Sequence, residues 1–338
     1  MVEPEPIPRP RTLLSRLAPW LRVGITAAIL GFLAGKVSWG HLAERFTSAQ
    51  PLWLVTALFI TLISITLCGT RFWFLLRLQK IHLSWFRTLH LTFVGFFFNL
   101  FLIGSTGGDA VRLFYLIRWF PDQKARSTLA ILLDRVFGVA ALFGLGLLFL
   151  PGASDRLLAD ATFAPLAHAL PWLGPLGGFL VLLAFVVSGF LPKFPLPAKL
   201  PGRSVILDLL HAMRDIMHGG WTTVGLIAVC LAVHLASFGG ATLLARSLNL
   251  PINYSLAGLI LVLIFSAAAL PISVSGHGVR EAMMVYLFPH LGISPDPEAA
   301  IAYSLMIHGL GLFWSLFGGL AYLTLKSPIK KHDPSPRR

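Results

Sequence analysis

Three polar clusters interrupt an otherwise apolar chain: Asp109 with Arg112, the adjacent Asp134 and Arg135, and the adjacent Arg280 and Glu281. A guanidinium presents five N–H donors in a planar fork suited to phosphate or carboxylate, and a carboxylate beside it can act as counter-ion or proton carrier. The first and last clusters close the same pattern. Ser105-Thr106-Gly107-Gly108-Asp109-Ala110-Val111-Arg112 and Ser273-Val274-Ser275-Gly276-His277-Gly278-Val279-Arg280 share the order Ser, any, small, Gly, any, small, Val, Arg. Each copy follows one apolar run and opens another.

Two readings of these clusters are open. In the functional one, Arg112 and Arg280 hold an anionic head group near the membrane midplane, with Asp109 and Glu281 as counter-ions; helix starts favour anions, and ionisable groups at membrane depth mark function. In the structural one, the acids cap the following helical arms and pair with the arginines. Gly107, Gly108, Gly276 and Gly278 allow a tight tip or close backbone approach to a ligand. Ser105, Ser273 and Ser275 can donate to a head group or satisfy freed carbonyls, and Asn99 is placed to bond broken backbone. Asp134 and Arg135 either face the same interior or anchor the first tip. His234, His277 and His308 lie in or beside apolar runs without metal-ligand spacing, so no metal or cofactor is expected, and only His277 sits on a tip where it could titrate.

The elements that must position these groups are membrane helices. The 338 residues are 56% hydrophobic and 12% charged, with a mean hydropathy of +0.78, too apolar for a soluble core. The net charge of +13 gathers in short segments between apolar runs, which fits the positive-inside rule and not a nucleic-acid surface. Cys68 and Cys230 lie inside apolar runs and read as reduced packing residues. Gly239-Gly240 and Gly318-Gly319 read as small-residue packing faces.

The expected architecture is an all-α polytopic protein with about six full spans plus two re-entrant helical hairpins in an inverted repeat. The spans are expected near 20–37, 51–76, 125–150, 171–191, 221–244 and 299–325, and the hairpins over 88–120 and 254–290. The single membrane domain covers 17–326, its halves about 17–150 and 171–326. The segment 41–50 is expected as an outside loop, and Arg71 with Arg77, Lys80 and Arg87 as the basic inside loop after the second span. A disordered lead over 1–16 and a basic tail over 327–338 place both termini in the cytoplasm.

The blocks NLFLIGSTGGDAVR (Asn99 to Arg112), Leu133-Asp134-Arg135 and LPISVSGHGVRE (Leu270 to Glu281) resemble, in order, those of the lysylphosphatidylglycerol synthase/flippase transmembrane-region family. Two positions depart from its usual pattern: Ile103 where proline is common, and His277 where a small residue is. The resemblance implies translocation of a lipid or lipid-linked head group in the inner membrane, with phosphate-bearing membrane lipids as partners and no aminoacyl-transferase step, since no soluble catalytic domain is present up to Arg338. Two alternatives stand beside it. One is an intramembrane enzyme on polyprenyl-phosphate or phospholipid with Asp109 or Glu281 as base; the other is an accessory subunit docking a cytoplasmic synthase through segment 193–220.

Overall fold

A computed structural model of the chain describes residues 13–101, 107–161, 213–269 and 276–325, together with Ser273 and a few isolated positions between 164 and 211. Ser105, Ser275, the span expected at 171–191, most of segment 193–220 and the basic tail lie outside the described residues.

The described residues are helical. In chain order they form α1 (Leu13–Lys36), α2 (Trp39–Thr47), α3 (Pro51–Leu78), α4 (Trp85–Phe101), α5 (Gly107–Trp119), α6 (Lys124–Phe149), the short α7 (Ser154–Ala159), α8 (Trp221–Ser247), α9 (Tyr254–Ala269), α10 (Val279–His290) and α11 (Pro297–Thr324). Among the described residues four helices, those ending at Leu78, Phe149, Ser247 and Thr324, are long and apolar enough to cross a membrane. A fifth span results if α1 and α2 count as one. Proline opens both α3 and α11, where its missing N–H would have had no intrahelical partner.

Two local expectations are corrected. Segment 41–50, read as a loop, is mostly the helix α2, turned 87° from α1. It is held by Arg45 on Asp296 at 3.1 Å and by the Ser38 N–H on Glu298 at 2.9 Å, so polar contacts with the start of α11 stabilise a helix that apolar periodicity alone would not predict. Arg71, read as part of a basic loop, lies within α3 and is buried; the apolar run resumes after it through Trp73 to Leu76, and an ion pair described below satisfies its charge.

The repeat in sequence has a counterpart in packing. Equating α3, α4, α5 and α6 with α8, α9, α10 and α11 maps the helix contacts onto themselves: α4 packs on α11 as α9 packs on α6, and α5 lies between α4 and α6 as α10 lies between α9 and α11. These contacts close a cycle running α5, α4, α11, α10, α9, α6 and back to α5. The equivalent helices α3 and α8 form the most extensive contact, and they run antiparallel. The Gln50 N–H donates to Ser247 O at 2.9 Å near one end of the seam, Ser64 Oγ donates to Val233 O at 3.2 Å and lies 2.9 Å from Ser237 Oγ near its middle, and Gly225 faces Phe74 towards the other end. The largest cluster of buried apolar residues lies mainly in the second half, with Phe238, Phe288 and Tyr303 fully buried, and a second cluster around Phe72, Leu76 and Leu116 lies in the first; Tyr303 Oη donates to Ala241 O at 3.0 Å. Gly318 and Gly319 let α11 approach Phe93 and Phe97 of α4, so these glycines do serve as a packing face.

The register at the middle of the seam is checked by disulfide mapping. In a Cys68→Ser/Cys230→Ser background, the pair Ser64→Cys/Ser237→Cys is expected to cross-link on oxidation, seen as a linked peptide by mass spectrometry. Ser64→Cys with Thr222→Cys, at the far end of α8, is expected not to link. The reverse pattern would overturn the register.

Candidate functional site

The first cluster gathers on three helices. Asp134 on α6 is buried and accepts from Arg71 Nε of α3 at 2.8 Å through Oδ1, and from both terminal nitrogens of Arg112 on α5 at 3.1 and 3.2 Å through Oδ2. Asp109, one turn before Arg112, accepts from Arg112 Nη1 at 3.2 Å and from Arg135 Nε at 2.6 Å. The Arg112 guanidinium also lies 3.7 Å from the centre of the Phe72 ring, a cation–π contact that adds to its stabilisation in a dry setting. Two buried arginines thus share two buried carboxylates, and Arg135, half exposed, sits at the edge.

Backbone chemistry brings Asp109 and Arg112 into range. The Gly108 N–H, one of the orphan donors at the start of α5, is accepted by Asn99 Oδ1 of α4 at 2.8 Å. A side chain at position 108 would collide with the Gly95 carbonyl, so only glycine lets α4 and α5 close on each other. Gly107 opens α5 and Ser105 lies outside the described residues.

The second cluster has a different electrical design. Glu281 is buried and does not pair with Arg280: it accepts from the Gly278 N–H at 2.7 Å and from Ser304 Oγ of α11 at 3.1 Å. Gly278 adopts a φ of +81°, which an L-side chain resists, and Ile29 of α1 lies against it. Glu281 therefore caps α10 and ties the tip to α11. Arg280 is partly buried and no carboxylate lies within 4 Å of it among the described residues. Its Nη2 donates to Nδ1 of His277 at 3.2 Å and to Nδ1 of His308, on α11, at 3.3 Å. A guanidinium only donates, so both Nδ1 atoms act as acceptors and both rings are neutral with the proton on Nε2. Arg280 Nε is buried with no hydrogen-bond partner among the described residues. The Gly276 carbonyl accepts from the Arg280 N–H at 3.1 Å, and Ser273 is buried.

The sequence-derived residues therefore collect in two groups: Asn99, Gly107, Gly108, Asp109, Arg112, Asp134 and Arg135 at one tip, and Ser273, Gly276, Gly278, Arg280 and Glu281 at the other. The arms α5 and α10 that carry them stand across the helix cycle and are not among its packed pairs. Sequence reasoning missed Arg71, Phe72, Ser304 and the part played by His308. For Arg71 the signal was a charge set between apolar runs on both sides; His308 is the one histidine of α11. His234, in contrast, contacts the Gly138 carbonyl at 2.8 Å and ties α8 to α6.

Removing one partner of a buried charge pair leaves the other desolvated, at a cost of about 3–5 kcal/mol. Asp134→Ala is expected to lose that much stability in reversible detergent unfolding, because it strands Arg71 as well as part of Arg112. Arg135→Ala, at a half-exposed position, is expected to lose less than about 1 kcal/mol. Comparable losses in the two variants would contradict the central place given to Asp134.

No curated protein matches the chain. The family model of the lysylphosphatidylglycerol synthase TM region matches residues 20–319, a stretch that carries every described group of both clusters. The chain is a member of the lysylphosphatidylglycerol synthase TM region family, a helical membrane protein.

Proposed function

We propose that this protein moves a lipid, or a lipid-linked head group bearing phosphate, across the inner membrane, and that Arg280 receives the anion. The observation that carries this reading is the contrast between the two repeat-equivalent arginines. Both keep a buried Nε without a hydrogen-bond partner, but Arg112 is neutralised by Asp109 and Asp134, whereas Arg280 has no carboxylate within 4 Å among the described residues and faces two neutral imidazoles. A partly buried cation with no carboxylate within 4 Å is costly, and its free Nε–H is suited to an oxyanion. Arg112 then acts as a fixed strut of the first tip.

Carrying an ionised head through hydrocarbon costs about 2.5–3.5 kcal/mol or more, which a polar path between the two halves would offset. The antiparallel contact of equivalent helices supports an inverted repeat, with two re-entrant hairpins and alternating access about a central site. Both termini then face the cytoplasm. The intramembrane-enzyme reading gains no support from the acids: both oxygens of Glu281 are engaged by the Gly278 N–H and Ser304, and both of Asp109 by guanidinium groups, which leaves neither poised as a base.

The test is leaflet exchange in phosphatidylcholine vesicles containing labelled phosphatidylglycerol or a labelled polyprenyl phosphate. Arg280→Ala is expected to slow exchange by about tenfold or more, equivalent to about 1.4 kcal/mol of barrier, with Arg280→Lys intermediate because it keeps the charge without the fork. Exchange at the wild-type rate in Arg280→Ala would remove this residue from the transport path and the reading with it.

A further inference from the structure

We infer that anion binding at Arg280 draws a proton onto the His277–His308 pair, so that cargo and proton are taken up together. The inference rests on the anion-receiving reading of Arg280 and extends it to the energy source. Both imidazoles direct an Nδ1 lone pair at the same guanidinium nitrogen, at 3.2 and 3.3 Å, and their rings stand edge to face with centres 4.6 Å apart. By the geometry of these three side chains alone, protonation of either ring is opposed twice. An added Nδ1–H would point at the Nη2–H donor of Arg280, and a positive ring would sit beside a positive guanidinium.

An oxyanion on the free Nε edge of Arg280 reverses both terms. Its charge offsets the guanidinium, and it offers oxygen atoms that a rotated or displaced imidazolium can bond. The two rings are too close for both to be charged, so one proton is shared by the pair. Among the described residues the surrounding elements supply no competing acid. On α10 the only other ionisable neighbour is Glu281, already committed to Gly278 and Ser304. α11 contributes His308 and the neutral Ser304, α1 contributes Thr26 and Ile29 beside Gly278, and the one ionisable side chain of α9, Tyr254, sits at its opposite end.

The experiment uses the full chain in phosphatidylcholine nanodiscs and titrates dimethyl phosphate, a monoanion throughout the range, between about pH 5 and 8, where an imidazole can change charge. Calorimetry in two buffers of different ionisation enthalpy is expected to report uptake approaching one proton per anion, and the affinity to tighten about tenfold per pH unit lowered across the titrating range. His277→Asn/His308→Asn is expected to lose that pH dependence. Binding without proton uptake in the wild-type protein would overturn the coupling and leave the Arg280 anion reading standing; absence of binding at every pH would overturn both. Nanodiscs with phosphatidylglycerol are expected to show the same uptake if the ligand is a lipid head group, while a response confined to dimethyl phosphate assigns a free phosphodiester to the site. The wild-type proton count decides the matter even if the double variant does not fold.

Discussion

The structure turns on one carboxylate. Asp134 accepts from guanidinium groups on two other helices, so α3, α5 and α6 are joined at a single pair of oxygen atoms inside the protein. In a hydrocarbon setting helices gain little from apolar contact with one another, because lipid tails are equally apolar, and packing plus polar bonds must supply orientation. A charge-assisted junction of this kind fixes rotation and depth together. Asp109 extends the junction to Arg135, and Asn99 and Gly108 secure the remaining arm, α4.

The equivalent place in the second half is built from weaker parts. There the acid caps its own helix, the arginine is held by imidazole lone pairs, and Gly278 lies against α1. The repeat is thus kept in the way the helices pack, while the backbone at the two motifs, helical from Gly107 in one and a turn with positive φ at Gly276 and Gly278 in the other, and the side chains around each arginine diverge. One half is locked by charge neutralisation, and the arginine of the other has no carboxylate within 4 Å among the described residues. Such division of labour is open to a repeat whose halves need the same fold but not the same chemistry.

Much of the architecture was legible in the residues. Length and apolarity reveal α3, α6, α8 and α11, and the paired glycine-rich motifs locate the starts of α5 and α10, because few segments at membrane depth have a reason to contain two glycines and a charged pair. The turn into α2 was not legible, since its stability comes from Arg45 and Ser38 meeting acids near the start of α11, far away in sequence. Arg71 was misplaced for the same reason: a lone arginine near the end of a span looks like a flanking charge until its partner on another helix is known. The partners of Arg280 were equally hidden, because adjacency to Glu281 suggests an ion pair, whereas consecutive helical positions do not face each other and the glutamate turns back to Gly278.

The seam between α3 and α8 has a further consequence. Ser64 and Ser237 meet where equivalent helices cross head to tail, a place that lies close to the axis relating the halves. In the transport proposed above, points near that axis would travel least, and whatever opening one half made towards its own side the other could make towards the opposite side. The two serines would then mark a fulcrum, about which the outer helices tilt while the spine beneath them stays still.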